Sequence, residues 1–186
     1  MQLDQQAASY ASLQQLNETM HDLAVERTAE GLMTVMLDRA MRLVGAERGW
    51  VSQLDMATGE LQIVAQRGDP PSKQAISIGQ GITGRALTLG KPQRAGDVHA
   101  PPWNAIYVEY WPDTVSEVAV PLRVANAEVR IGAEVCQQPK PIGVLNLESP
   151  RSDAFSSTDE NLLVSLSRHA AILIDRLDLD RKWARL

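Results

Sequence analysis

The chain has 186 residues, 44% of them hydrophobic and 22% charged, which suits one globular domain with a full core of its own. Its net charge of −5 argues against a nucleic-acid binder resting on phosphate contacts. A single cysteine, Cys136, excludes an internal disulfide framework and any cysteine-rich metal or iron–sulfur site.

No apolar run approaches the roughly 18 residues of a membrane span. The start of the chain lacks the basic-then-apolar pattern of a secretory signal. With a free thiol, the expected compartment is the cytoplasm, with no membrane partner.

Residues 3–24 carry a sparse stripe, Leu13, Leu16, Met20 and Leu23, with heptad-like spacing on a helix. A second helix is expected from about Thr28 to Val44, apolar at Met33, Met36, Leu37, Ala40 and Met41 and closed by Gly45. The period then changes to two. Trp50, Val51 and Leu54 read as one strand and Leu61, Ile63 and Ala65 as the next, joined by Ala57-Thr58-Gly59 in an antiparallel hairpin. A loop covers 68–74. A short helix runs from Gly81 to Leu89, stopped by Gly90 and Pro92, and a brief strand covers Gln93–Ala95.

Residues 96–114 form a connection long enough to imply a function or a short helix of its own. Val115–Val124 and Ile142–Leu147 read as strands. The alternation of Val129, Ile131, Ala133 and Val135 extends them as a long hairpin arm, and Pro121 marks a bulge or an edge. The last helix starts near Ser156 or Ser157, where Ser157-x-x-Glu160 fits a capping box and Phe155 can staple the first turn. Its stripe is Leu163, Leu166, Ala170, Leu173 and Leu177. This order is α+β, an antiparallel sheet with terminal helices gathered on one face.

Four motifs bear on function. Gly79-Gln80-Gly81-Ile82-Thr83-Gly84 is a literal G-x-G-x-x-G, but the short helix after it and the early Asp97 favour a tight helix start over a dinucleotide site. His21, His99 and His169 fall in three separate elements, so no metal site is expected. Cys136 has no base near it in sequence and reads as a bystander thiol. Trp103, Tyr107, Tyr110 and Trp111 share one short window in a chain with only one Phe. They suit the buried face of a short helix and also an aromatic lid over a small ligand.

The ordered motifs resemble those of a GAF domain, over about residues 28–177. Gly79-Gln80-Gly81-Ile82-Thr83-Gly84-Arg85-Ala86 resembles the family's glycine-rich helix start. Gly90-Lys91-Pro92 with Gly96-Asp97-Val98 resembles the strand and aspartate that follow. Ser116-Glu117-Val118-Ala119-Val120-Pro121-Leu122 resembles the central strand, and Gly143-Val144-Leu145-Asn146-Leu147-Glu148-Ser149 the strand paired with it. Ala154-Phe155-Ser156-Ser157-Thr158-Asp159 resembles the entry to the last helix.

The resemblance implies a six-stranded antiparallel sheet with the terminal helices on one face and a small-molecule pocket under residues 79–114 on the other. It implies ligand sensing passed on by a homodimer to an effector domain in the same or another chain. Residues 1–27 would be an N-terminal signalling or dimerisation helix, 28–177 the GAF domain, and the last helix, about 156–183, would continue as a C-terminal signalling helix. The expected ligand-binding residues are Asp97, His99, Trp103, Tyr107, Tyr110, Trp111, Ser116 and Glu117. A ligandless dimerisation module is the alternative. Free methionine sulfoxide reductases share the fold and the Asp97-Val98-His99 sequence, but they need cysteines, one of them where this chain has Ile82-Thr83. Bilin carriers need one before the central strand. The sequence therefore reads as a regulatory module rather than an enzyme, with no catalytic residue, cofactor or metal.

Overall fold

The computed structural model describes residues 18, 22, 23, 25–71, 75–131 and 134–183. The stripe residues Leu13, Leu16 and Met20, and His21, lie outside them, whereas Leu23 is described and buried.

Helix α1 spans Ala29–Val44. Its Thr28 hydroxyl accepts from the Gly31 amide at 3.0 Å, capping an otherwise unpaired first-turn donor. Gly45 ends it in the left-handed region at φ +66. Leu32, Met33, Met36, Leu37 and Ala40 form its buried face. Strands β1 (Arg48–Asp55) and β2 (Glu60–Arg67) pair antiparallel, and the turn between them is tied by Asp55, whose carboxylate accepts from the Ala57 amide at 2.8 Å.

A short strand, β3 (Ala75–Ser77), pairs with β2. At three residues it is too brief to leave a periodicity in the sequence. Helix α2 (Gly81–Leu89) and strand β4 (Gln93–Ala95) follow as expected. The 96–114 connection contains one 3-10 turn, Trp103–Ala105. Strands β5 (Ser116–Ile131) and β6 (Glu134–Ser149) then make the long hairpin, paired out to Ile131 opposite Glu134 with register shifts after Leu122 and after Val124. The backbone of Cys136 sits opposite Val129. Its side chain is outside the described set.

Helix α3 spans Ser157–Trp183. Its cap lies one residue earlier than the sequence suggested. The Ser156 hydroxyl accepts from the Asp159 amide, and Asp159 accepts from the Ser156 amide at 2.7 Å. Glu160 is thereby free to pair with Arg94 of β4 at 3.0 Å.

The sheet order is β3-β2-β1-β6-β5-β4, with every neighbouring pair antiparallel. Because side chains alternate across a sheet, the two faces build two cores. Val51, Val118, Val120, Leu122, Leu145 and Leu147 face α1 and α3. Trp50, Ala119 and Val144 face α2 and the 96–114 connection. The α3 stripe is used inside the domain, since Leu163, Leu166 and Ala170 are fully buried in the first core. Among the described residues no helix is long and apolar enough to cross a membrane.

Candidate functional site

The site is a consequence of register. Arg48 of β1 stands opposite Glu148 of β6, which stands opposite Glu117 of β5. One pleat further on, Trp50 stands opposite Asn146, and Asn146 opposite Ala119. Alternation puts both rows on the sheet face that the connection covers. Two acids thus meet side by side inside the protein, with Glu117 1% and Glu148 0% exposed.

Buried carboxylates need partners. Thr83, in the first turn of α2, donates to Glu117 at 3.3 Å. Thr114 donates to Glu148 at 2.6 Å, and the Asn146 amide donates at 2.9 Å. Arg48 reaches the pair at one remove. It donates to the Thr114 hydroxyl at 2.9 Å and to Asp113 at 2.5 Å, and it lies over the Trp111 ring at 5.3 Å.

These partners are too few to keep both acids charged. Burial lifts the Glu117 carboxyl well above its usual range, and the facing Glu148 adds to the lift against the Thr83 bond. Burial likewise pushes Glu148 up to about 7, opposed by Thr114, Asn146 and Arg48. The pair therefore holds protons near neutrality as a unit. Burial and the two acids also raise the Tyr110 phenol.

Around the pair stand unpaired polar atoms. Trp50 Nε1, Asn146 Oδ1 and the Tyr107 hydroxyl are buried without a hydrogen-bond partner among the described residues. The Tyr107 hydroxyl lies near Thr114 and the two acids. A donor, an acceptor and a phenol thus lie buried and unpartnered in the same core as the two protonatable carboxyls.

The aromatic residues divide along the connection. Tyr110 and Trp111 are buried, Tyr110 meeting Trp50 edge-to-face at 5.5 Å. Trp111 Nε1 donates to the Asp69 carbonyl at 2.8 Å and fastens the connection to the loop after β2. Trp103 and Tyr107 are half-buried members of the same core. Thus Tyr107, Tyr110, Trp111 and Glu117 come together, with Trp103 at the margin.

The other candidates hold the chain's shape. The Asp97 carboxylate accepts from the His99 amide at 2.8 Å, closing a turn. The exposed His99 ring bonds the Thr114 carbonyl at 3.1 Å and meets Tyr107 edge-to-face, so it props the wall from behind. Ser116, one residue from Glu117, points the opposite way and donates to the Arg151 carbonyl at 2.8 Å.

Sequence reasoning did not single out Arg48, Trp50, Thr83, Thr114, Asn146 or Glu148. A usable signal was present in Val144-Leu145-Asn146-Leu147-Glu148, where polar residues alternate with leucines that must be buried. The glycines around Thr83 serve packing. Gly81 adopts φ +69 beside Val108, and a Cβ at Gly84 would lie 2.8 Å from the Gly79 amide nitrogen.

Compared with known proteins, residues 26–175 match the profile of the GAF domain. No curated protein sequence matches the chain. Among solved structures it is similar to the free methionine-R-sulfoxide reductase of Neisseria meningitidis in complex with its substrate, at 21% identity over 89% of each chain, with a TM-score of 0.73. It is similar to the GAF domain of the Acinetobacter phosphoenolpyruvate-protein phosphotransferase, at 15% identity over 90% of this chain and 94% of that one, with a TM-score of 0.73. The type II free methionine-R-sulfoxide reductase of Thermoplasma acidophilum is 23% identical, over 80% of this chain and 94% of its own, with a TM-score of 0.64. At these identities the likeness is one of fold. It nevertheless corrects the sequence reading that set the chain outside the enzymes. Reductases are among the structures that share its fold, so the fold leaves catalysis open.

Proposed function

We propose that this chain, which belongs to the GAF domain family, is a cytoplasmic sensory module that binds a small ammonium-bearing molecule noncovalently at the Glu117–Glu148 pair. The observation that carries this reading is the pair itself. Two acids face each other across neighbouring strands, buried, with no cationic side chain in direct contact among the described residues. An ammonium group placed between them would pair with both and displace their protons. Trp50, Tyr107 and Tyr110 would supply the aromatic wall that favours a cation. Free methionine-R-sulfoxide, the reductases' own namesake, is an amino acid and carries such a group.

Binding beneath the connection would favour one arrangement of residues 96–114 over others, and α1 and α3 on the opposite sheet face would report it. A homodimer and an effector domain in the same or another chain complete this proposal.

The test is calorimetry on the whole chain with free L-methionine-R-sulfoxide, a panel of other amino acids and the deaminated analogue of each. An amine requirement is expected, with loss of binding in Glu148→Gln. Affinity should rise with pH up to about 7, because the ligand needs the acid that burial keeps protonated below that value. Equal binding of the deaminated analogues would sink the proposal.

A second reading rests on the reductase neighbours. Turnover of the sulfoxide with a thiol reductant in the same samples would assign an enzyme. A ligandless interaction module is favoured by the burial of Tyr110 and Trp111 against the sheet, and it predicts no binding of any panel member.

A further inference from the structure

We infer that the open edge of β5 carries a second ligand site, for a small organic dianion held by Arg123 and Arg168. Strand β4 covers β5 only at residues 117–119. Beyond that point no strand among the described residues pairs with this edge. A cavity of about 450 Å³ lies along it, walled by Pro92, Val120, Ala125 and Val164 and carrying the two arginines. That is the size and character of a small-molecule recess, an apolar wall with a few charged groups.

The described charges that line this recess are all of one sign. Among the described residues Arg39, Arg48, Arg67 and Arg94 are each paired with a carboxylate. Arg123 donates instead to the Gly90 carbonyl at 3.0 Å, which leaves most of its fork unused. Arg168 has no ion pair among the described residues, and no described carboxylate lines the cavity. Two guanidiniums share a recess with no counter-charge among the described residues, in a protein of net charge −5. An oxyanion between them removes their mutual repulsion and accepts from both forks.

A compact ligand fits better than an added strand. Pro121 lies at this edge and has no N–H to offer a neighbouring strand. The apolar wall suits the organic body of a phosphomonoester or a dicarboxylate. The site is opposite in sign to the Glu117–Glu148 pair and stands independently of it.

The test is calorimetry on the full chain with phenyl phosphate and inorganic phosphate, against chloride at matched ionic strength. One saturable site is expected, with phenyl phosphate binding tighter than phosphate because its ring covers the apolar wall. Arg168→Gln, on the exposed face of α3, should weaken binding about tenfold or more. Arg123→Lys keeps the charge and loses the fork, and should weaken it as well. Glu148→Gln should leave it unchanged. Absence of saturable binding, binding indifferent to both arginine variants, or phosphate matching phenyl phosphate would each overturn the inference.

Discussion

Glu148 concentrates the physics of the site. Its carboxyl is raised from an ordinary 4.5 to about 7, first by burial. The folded chain therefore keeps a proton that the unfolded chain releases. This contribution to stability is complete below pH 4.5 and is lost as the pH rises through about 7. At roughly 1.36 kcal/mol for each pH unit, the loss amounts to about 3 kcal/mol, and Glu117 shifts in the same direction. The ligand-free protein should therefore melt at a lower temperature at pH 8 than at pH 5. Glu148→Gln, which cannot ionise, should flatten that slope, as thermal melts across the range would show. A slope unchanged in the variant would place the titration elsewhere. Glu117 was legible in sequence through its motif. Its partner left only a face signal, the alternation of Asn146 and Glu148 with Leu145 and Leu147, and which strand and connection cover that face is known only from the fold.

At the scale of elements, α2 is the connector between the glycine run and the site. Gly84 has no room for a Cβ against the backbone of Gly79. Gly84→Ala should shift α2, lengthen the Thr83–Glu117 bond and destabilise the fold by about 1–3 kcal/mol, read by denaturant unfolding. A variant as stable as the parent would show that this turn yields easily. Ser156→Ala should cost about 1 kcal/mol, because the hydroxyl caps α3 at the Asp159 amide, and Ser157→Ala should cost less. The sequence placed this cap within one residue but chose the wrong partner. Ser156 with Asp159 and Ser157 with Glu160 are both acceptable capping pairs in a linear chain. Tertiary contact decided between them, since Arg94 of β4 draws Glu160 away.

At the scale of the whole molecule, the apolar stripe of α3 is consumed by the domain's own core. A dimer through this helix must therefore use another face. Among the described residues Ile172 is the large apolar residue that α3 leaves exposed, at 46%. If the terminal helices pair two chains, sedimentation equilibrium should show a dimer, and Ile172→Glu should dissociate it without lowering the melting temperature of the domain. A monomer in the parent protein would remove the dimeric part of the proposal.

The amino-acid sequence alone determined what depends on local spacing. Helix periods, strand alternation, glycine stops and the order of elements were enough to set the class as α+β and to put Tyr107, Tyr110 and Trp111 in one connection. Those signals act between residues a few positions apart, where backbone geometry translates spacing directly into a shared face. Tertiary structure decided what depends on partners far along the chain. Trp50, Glu117 and Glu148 become neighbours only through the order β1-β6-β5, and the fold likewise brings Ser116 to the distant Arg151 carbonyl. The chemistry of the site belongs to those long-range pairings, because burial and a facing charge, rather than residue type, determine whether a glutamate holds its proton.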